Sequence, residues 1–281
     1  MGECRLEETM LQEFRAYLSE EEKSQATISK YLRDIQAFFR AVGIGGTVTK
    51  ETVMEYKEKL VGAYAPASVN SMLAAVNRFL DWRGWAGCMV KTLKIQREIF
   101  RDKERELTKS EYLRLLKTAR KEKRKRLGLI METLGCTGIR IGELRFITVE
   151  AVKNGQATVT LKRKTRRVLI PKKLCQTLQR YIKEQKIKTG SVFVTRGGKP
   201  VDRSNVLHEM KGICELAGVE KSKVFPHNFR HLFACIFYQT HRDLSRLADL
   251  LGHSNINTTR IYICVNSDEH ARQIEVLGLV T

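Results

Sequence analysis

The sequence predicts a two-domain, mainly α protein with a small antiparallel β-sheet confined to its second domain. Three observations predict this. Apolar residues recur at intervals of three and four through the first third of the chain; a charge-dense stretch then interrupts that pattern; and beyond it QATVTLKRKTRRVLIP sets two short β-branched runs around a basic turn. With 281 residues and 42% hydrophobic content, packed cores are available to one large domain or to two of ordinary size.

The elements follow in order. A first helix is expected around Met10 to Leu18. In ATISKYLRDIQAFFRAVG, Ile28, Tyr31, Leu32, Ile35, Phe38, Phe39 and Val42 line one face, and Gly43 is expected to stop the helix in a left-handed C-cap. A third helix is expected around Val53 to Leu60. In PASVNSMLAAVNRFLDW, Pro66 suits the first helical position and Val69, Met72, Leu73, Val76, Phe79 and Leu80 repeat the stripe. Residues 1–93 thus read as a bundle of about four helices. Residues 94–107 read as a charged linker, and Thr108 to Glu111 (TKSE) as a capping box that opens a second domain, 108–281. There the pattern gives helices to about Cys136, a helix start after TGIRIGEL, the two strands, and a helix from KKLCQTLQRYIKE. Further helices are expected from an N-cap at Ser204 to Gly218, across HNFRHLFACIFYQ, and through LSRLADLLG.

Lys and Arg total 51 against 31 Asp and Glu, a formal net charge of +20. Such an excess points to a polyanion, nucleic acid first, as partner. Seven scattered cysteines, never spaced as Cys-x-x-Cys, indicate neither a disulfide framework nor a zinc site and fit a reducing cytoplasm. The N-terminal stretch MGECRLEETMLQEF lacks an apolar signal core, and no run of 18 apolar residues occurs, so neither export nor membrane insertion is expected. No metal-ligand cluster and no Gly-rich phosphate loop ending in Lys-Ser or Lys-Thr is present, so no metal or cofactor is expected.

Four stretches carry candidate chemistry. PHNFRHLFA places His227, Arg230 and His231 on one helical face, where an imidazole and a guanidinium could meet one object or simply form a solvated surface. In CTGIRIGEL, Gly138 allows a turn that holds Arg140 at a helix N-terminus, favourable for an anion; alternatively Arg140 pairs with Glu143. LKRKTRR carries Lys162, Arg163, Lys164, Arg166 and Arg167 in and beside the hairpin turn, as a solvated tip or as DNA contacts. A lysine there could protonate a leaving oxygen. Finally LGHSNINTTRIY sets His253 after a Leu-Gly break and Tyr262 nine residues later.

Together, and in this order, these motifs resemble the tyrosine recombinase (phage integrase) family, from about Thr108 to Tyr262, with ATISKYLRDIQAFF resembling the family's helical, SAM-like core-binding domain. The resemblance implies the two-domain DNA-breaking-rejoining fold and site-specific recombination through a 3′-phosphotyrosyl link. It assigns Arg140 and Arg230 as phosphate-clamping arginines, Lys162 as general acid and His227 as the histidine beside the scissile phosphate. His253 becomes a second hydrogen-bond donor and Tyr262 the nucleophile. A phenol with a pKa of about 10 needs a base and strong positive charge to attack at neutral pH. Two arginines supply that charge, so neither a metal nor ATP is required.

The resemblance also implies double-stranded DNA as partner, a homotetramer on two DNA sites, monomer or dimer free in solution, and cytoplasmic localisation. The family's hairpin commonly reads Gly-Lys-Gly where this one reads Leu161-Lys162-Arg163-Lys164, so Lys162 and Lys164 compete for the acid's role. THRDLSRL stands where a glycine-containing turn is common. His231 is expected to pack or to orient its helix; His208 and His270 have no assigned role, and Cys136 and Cys264 read as small hydrophobes. Ile274, Val276, Leu277 and Leu279 of the tail could pack on a neighbouring protomer or on their own domain. Two other functions compete: type IB topoisomerase relaxation, and a catalytically silent DNA-binding module.

Overall fold

The computed structural model describes residues 4–95, 105–161, 164–195, 197–253 and 255–260. Lys162, Tyr262, Cys264, His270, the apolar tail residues and most of the expected linker lie outside the described residues. The chain divides into two compact units, Met1–Arg97 and Glu98–Thr281.

The first unit is helical: α1 (Met10–Glu20), α2 (Gln25–Val42), α3 (Lys50–Ala63) and α4 (Pro66–Trp82). Ser24 caps α2 by accepting from the Thr27 amide, and Thr49 caps α3 in the same way from Thr52. The expected stripes meet in one core, where Phe79 stands edge-on to Phe14 at 5.4 Å and to Phe39 at 5.5 Å. Two asparagines on α4 act as a ladder for the chain that follows. Asn77 donates to the Val90 carbonyl and accepts its amide at 2.8 and 3.2 Å, and Asn70 does the same with Leu93 at 2.9 and 2.7 Å. Gly43 does end α2 with the positive φ, 91°, that a left-handed C-cap asks of a glycine, but its ψ of 145° lies outside the left-handed helical region.

The second unit holds α5 (Lys109–Lys121), α6 (Lys125–Thr137), a 3₁₀ turn at Ile141–Phe146, and α7 (Val149–Asn154). It continues with strands β1 (Gln156–Leu161) and β2 (Lys164–Leu169), then α8 (Lys172–Glu184), α9 (Arg203–Lys211), α10 (Pro226–His241), α11 (Leu244–Leu251) and α12 (Asn257–Arg260). The capping box at Thr108 forms as expected, with the Glu111 amide reaching the hydroxyl and the Thr108 amide reaching the carboxylate. β1 and β2 make the expected antiparallel hairpin, with Val159 opposite Arg166. Two expectations change. TGIRIGEL leads into a tight 3₁₀ turn, and α9 is capped by Asp202, whose carboxylate takes the amides of Ser204 and Asn205, so that Ser204 lies inside the helix. An ionised carboxylate is the stronger acceptor at a helix start. The helix also stops at Lys211 instead of running to Gly218.

No helix among the described residues is long and apolar enough to cross a membrane. Among the described residues no group of three or more His, Cys, Asp or Glu side chains could hold a metal ion.

Candidate active site

Two helix ends build the site. Helix α6 terminates at Gly138, left-handed at φ 62°, and a Cβ there would stand 2.5 Å from the Phe233 ring of α10. Only glycine satisfies both the backbone angle and the approach. Helix α11 terminates at Gly252, φ 65°, in a Schellman turn: the Gly252 amide returns to Asp249 and the His253 amide to Ala248, both at 3.0 Å. That turn uses the Ala248 and Asp249 carbonyls and leaves those of Leu250 and Leu251, which need partners.

Two arginines provide them. Arg230, 1% exposed, donates from Nη2 to Leu251 O and from Nη1 to Gly138 O, each at 2.7 Å, so that one guanidinium ties the two helix ends together. Arg166, on β2, donates from Nη1 to Leu250 O at 2.7 Å and from Nη2 to Glu143 Oε2 at 2.6 Å. Arg166 was a candidate DNA contact; the hairpin's alternation instead turns it inward with Val168 and Ile170, leaving Thr165, Arg167 and Leu169 exposed.

Glu143 is the buried anion of the site. Its carboxylate accepts from the Arg140 backbone amide at 2.9 Å, from Arg140 Nη1 at 3.1 Å and from Arg166. Burial pushes its pKa up, but the Arg140 amide and the Arg166 charge outweigh that and hold it below the usual carboxylate value. Arg140 sits at the N-cap of the 3₁₀ turn with its side chain 44% exposed. It is therefore both paired with Glu143 and open to a ligand; the two readings of this residue are compatible.

His253 joins the arginines. Its Nε2 lies 2.8 Å from Arg230 Nη2 and its Nδ1 2.8 Å from the hydroxyl of Thr259, which is fully buried. A guanidinium only donates, so Nε2 accepts and the ring proton resides on Nδ1. Burial and the charges of Arg230, Arg140, Arg166 and His227 lower the imidazole pKa from 6.5 to about 4. Three of the four groups that act on it, Arg230, Arg140 and His227, are expected site residues. Of the His227, Arg230, His231 face, His227 is exposed at the start of α10, Arg230 is buried, and His231 is buried against Glu106 at 3.5 Å and Cys235 at 3.3 Å.

Arg140, His227, Arg230 and His253 thus belong to one cluster, in which two guanidinium groups act on a neutral His253, while Lys162 and Tyr262 lie outside the described residues. Three further members, Arg166, Gly252 and Thr259, were not singled out for the site by the sequence. Strand alternation was the available signal for Arg166; Thr259 had none beyond its place in NTTR.

A chain that clusters arginines and histidines at two glycine-ended helices, in a mainly α unit with one hairpin that follows a helical unit in sequence, defines a class of anion-handling catalytic domain. It matches the phage integrase family over residues 105–269, and the N-terminal SAM-like domain of phage integrases over 11–87; the chain belongs to the phage integrase family. It is 28% identical over 276 residues to the tyrosine recombinase XerA of Thermococcus kodakarensis, covering 95% of this chain and 94% of that protein. In fold it is similar to XerH site-specific recombinase bound to its difH substrate before cleavage, with TM-score 0.70 and 18% identity over 96% of this chain and 83% of that one. It is also similar to a lambda integrase tetramer bound to a Holliday junction, with TM-score 0.71 and 17% identity over 90% of this chain and 76% of that one.

Proposed function

We propose that this protein cuts and rejoins duplex DNA at a specific site with Tyr262 as nucleophile and the Arg140, Arg230, His227 and His253 cluster as the phosphate site. The protein is a tyrosine recombinase of the Xer type. The observation that carries the site reading is Arg230, buried, bonded to the ends of α6 and α11 and 2.8 Å from His253 Nε2, with Arg140 and His227 near enough to act on that imidazole.

In the step we propose, the Tyr262 oxygen attacks the phosphorus and its proton passes to His227. The bond from phosphorus to the 5′-oxygen breaks, and Lys162 protonates that oxygen. A 3′-phosphotyrosyl link and a free 5′-hydroxyl result; reversal by another 5′-hydroxyl rejoins the strand. Arg140 and Arg230 neutralise the non-bridging oxygens as charge develops, the largest contribution in such sites. A phosphate anion between Arg230 and His253 draws the guanidinium towards itself and favours a proton on Nε2. The Thr259 hydroxyl can then donate to Nδ1 instead of accepting, and His253 becomes a donor. The phenols of Tyr56 and Tyr112 are pushed up by burial, Tyr56 to about 12, the opposite of what a nucleophile requires.

Residues 1–93 serve as a helical core-binding domain, 94–107 as linker and 108–281 as catalytic domain. The working assembly is a homotetramer on two DNA sites, in the cytoplasm. A nicked suicide substrate tests the chemistry: the wild type traps a covalent adduct, Tyr262→Phe binds DNA but traps none, and adducts persisting in that variant identify a different nucleophile. Exchange between two DNA sites separates recombination from topoisomerase-like relaxation.

A further inference from the structure

We propose that Arg166 is a positioning residue that locks the hairpin to both halves of the phosphate site, holding Glu143 on one side and the Leu250–His253 turn on the other. The inference rests on the reading of Arg140, Arg230 and Lys162 as site residues.

Three independent contacts carry it. The Arg166 side chain is 15% exposed and its partner Glu143 3%, so the pair is shielded from solvent, unlike a surface ion pair. Through Glu143 it supports the carboxylate that holds the Arg140 backbone and guanidinium. Its other nitrogen takes the Leu250 carbonyl, next to the Leu251 carbonyl that Arg230 takes. Gly252 is cut to fit it: a Cβ there would lie 2.2 Å from Arg166 Cδ and 2.8 Å from its Nε. The same strand begins two residues after Lys162, so the tie also fixes the root of the hairpin tip. A planar fork can span a carboxylate and a carbonyl at once; an ammonium cannot do so with the same geometry.

The test compares Arg166→Met and Arg166→Lys with Arg167→Ala, whose residue faces outward on the same strand. Misplacement of about 1 Å costs on the order of 10²-fold in rate, so Arg166→Met should slow single-turnover adduct formation by about 10²-fold at saturating protein. Its DNA affinity and the salt slope of that affinity should stay close to wild type while its melting temperature falls, because the shielded Glu143 carboxylate and the Leu250 carbonyl lose their partner, and Arg166→Lys should recover part of the rate. Arg167→Ala should instead reduce the salt slope by about one, as loss of a phosphate contact does. In the free protein, amide hydrogen exchange at Arg140 and His253 should accelerate in Arg166→Met. Three results overturn the inference: a salt slope reduced in Arg166→Met as in Arg167→Ala, DNA affinity falling together with the rate, or exchange at Arg140 and His253 unchanged. A wild-type protein that forms no adduct while Arg166→Met still accelerates exchange overturns the site reading instead and leaves the tie standing.

Discussion

The Nδ1 of His253 lies 2.8 Å from the hydroxyl of Thr259, a fully buried side chain three residues before Tyr262. One short contact thus connects the imidazole of the proposed phosphate site to the segment that precedes the proposed nucleophile. Thr259→Val keeps the shape and removes the hydroxyl, leaving the Nδ1 proton without its acceptor. Such a loss costs about 1–3 kcal/mol for a buried group. Slower adduct formation is expected in Thr259→Val and recovery in Thr259→Ser, read by single-turnover cleavage alongside thermal unfolding. Equal rates in the two variants would show that the hydroxyl does not hold the ring.

The acid side of the stability profile should carry the signature of His253. Its folded pKa of about 4 lies below the ordinary 6.5. Above 6.5 both folded and unfolded rings are neutral and pH has no effect through this group. Between 6.5 and 4 the unfolded chain binds a proton that the folded one refuses, so stability is lost as pH falls. Denaturant unfolding across that window should show a shallower loss in His253→Gln than in wild type.

Gly138 should tolerate no side chain. Gly138→Ala forces a left-handed residue with a Cβ against the Phe233 ring, and backbone strain of this kind alone costs on the order of 1–3 kcal/mol. Melting should drop in Gly138→Ala, and Phe233→Leu in the same chain should return part of the loss by removing the clash. A double variant no better than the single would assign the whole cost to the backbone.

The hairpin lysines can be told apart chemically. Lys162→Ala should slow cleavage by about 10²- to 10⁴-fold, the usual cost of losing a general acid. Sulfur at the bridging 5′ position should restore the rate, since a thiolate leaves without a proton. Lys164→Ala should weaken binding and affect sulfur and oxygen substrates alike. Rescue in Lys164→Ala instead transfers the acid's role to Lys164.

Much of this architecture was legible in the sequence where one local rule dominates. The stripes of α2 and α4, the Thr108 capping box and the hairpin depend on periodicity or on a few neighbouring residues, and each took its expected form. Competition between neighbours decided the misses. Asp202 displaces Ser204 as the cap because both stand near the same amides. At the site, Arg140 was readable from its glycine turn. The partners of Arg230 were not, because Gly138 and Leu251 are 92 and 21 residues away from it. Arg166 was taken for part of a basic tip since charge counting ignores strand parity; alternation with Val168 and Ile170 carried the better signal.

The fit of Arg166 against Gly252 makes these two positions interdependent over descent. An alanine arising first at 252 meets the Arg166 stem and a disfavoured backbone angle together, whereas loss of Arg166 first opens the space and leaves only the angle. The order of the two changes therefore matters, and the short Leu-Gly-His stretch is constrained by a strand some 80 positions earlier in the chain as much as by its own turn.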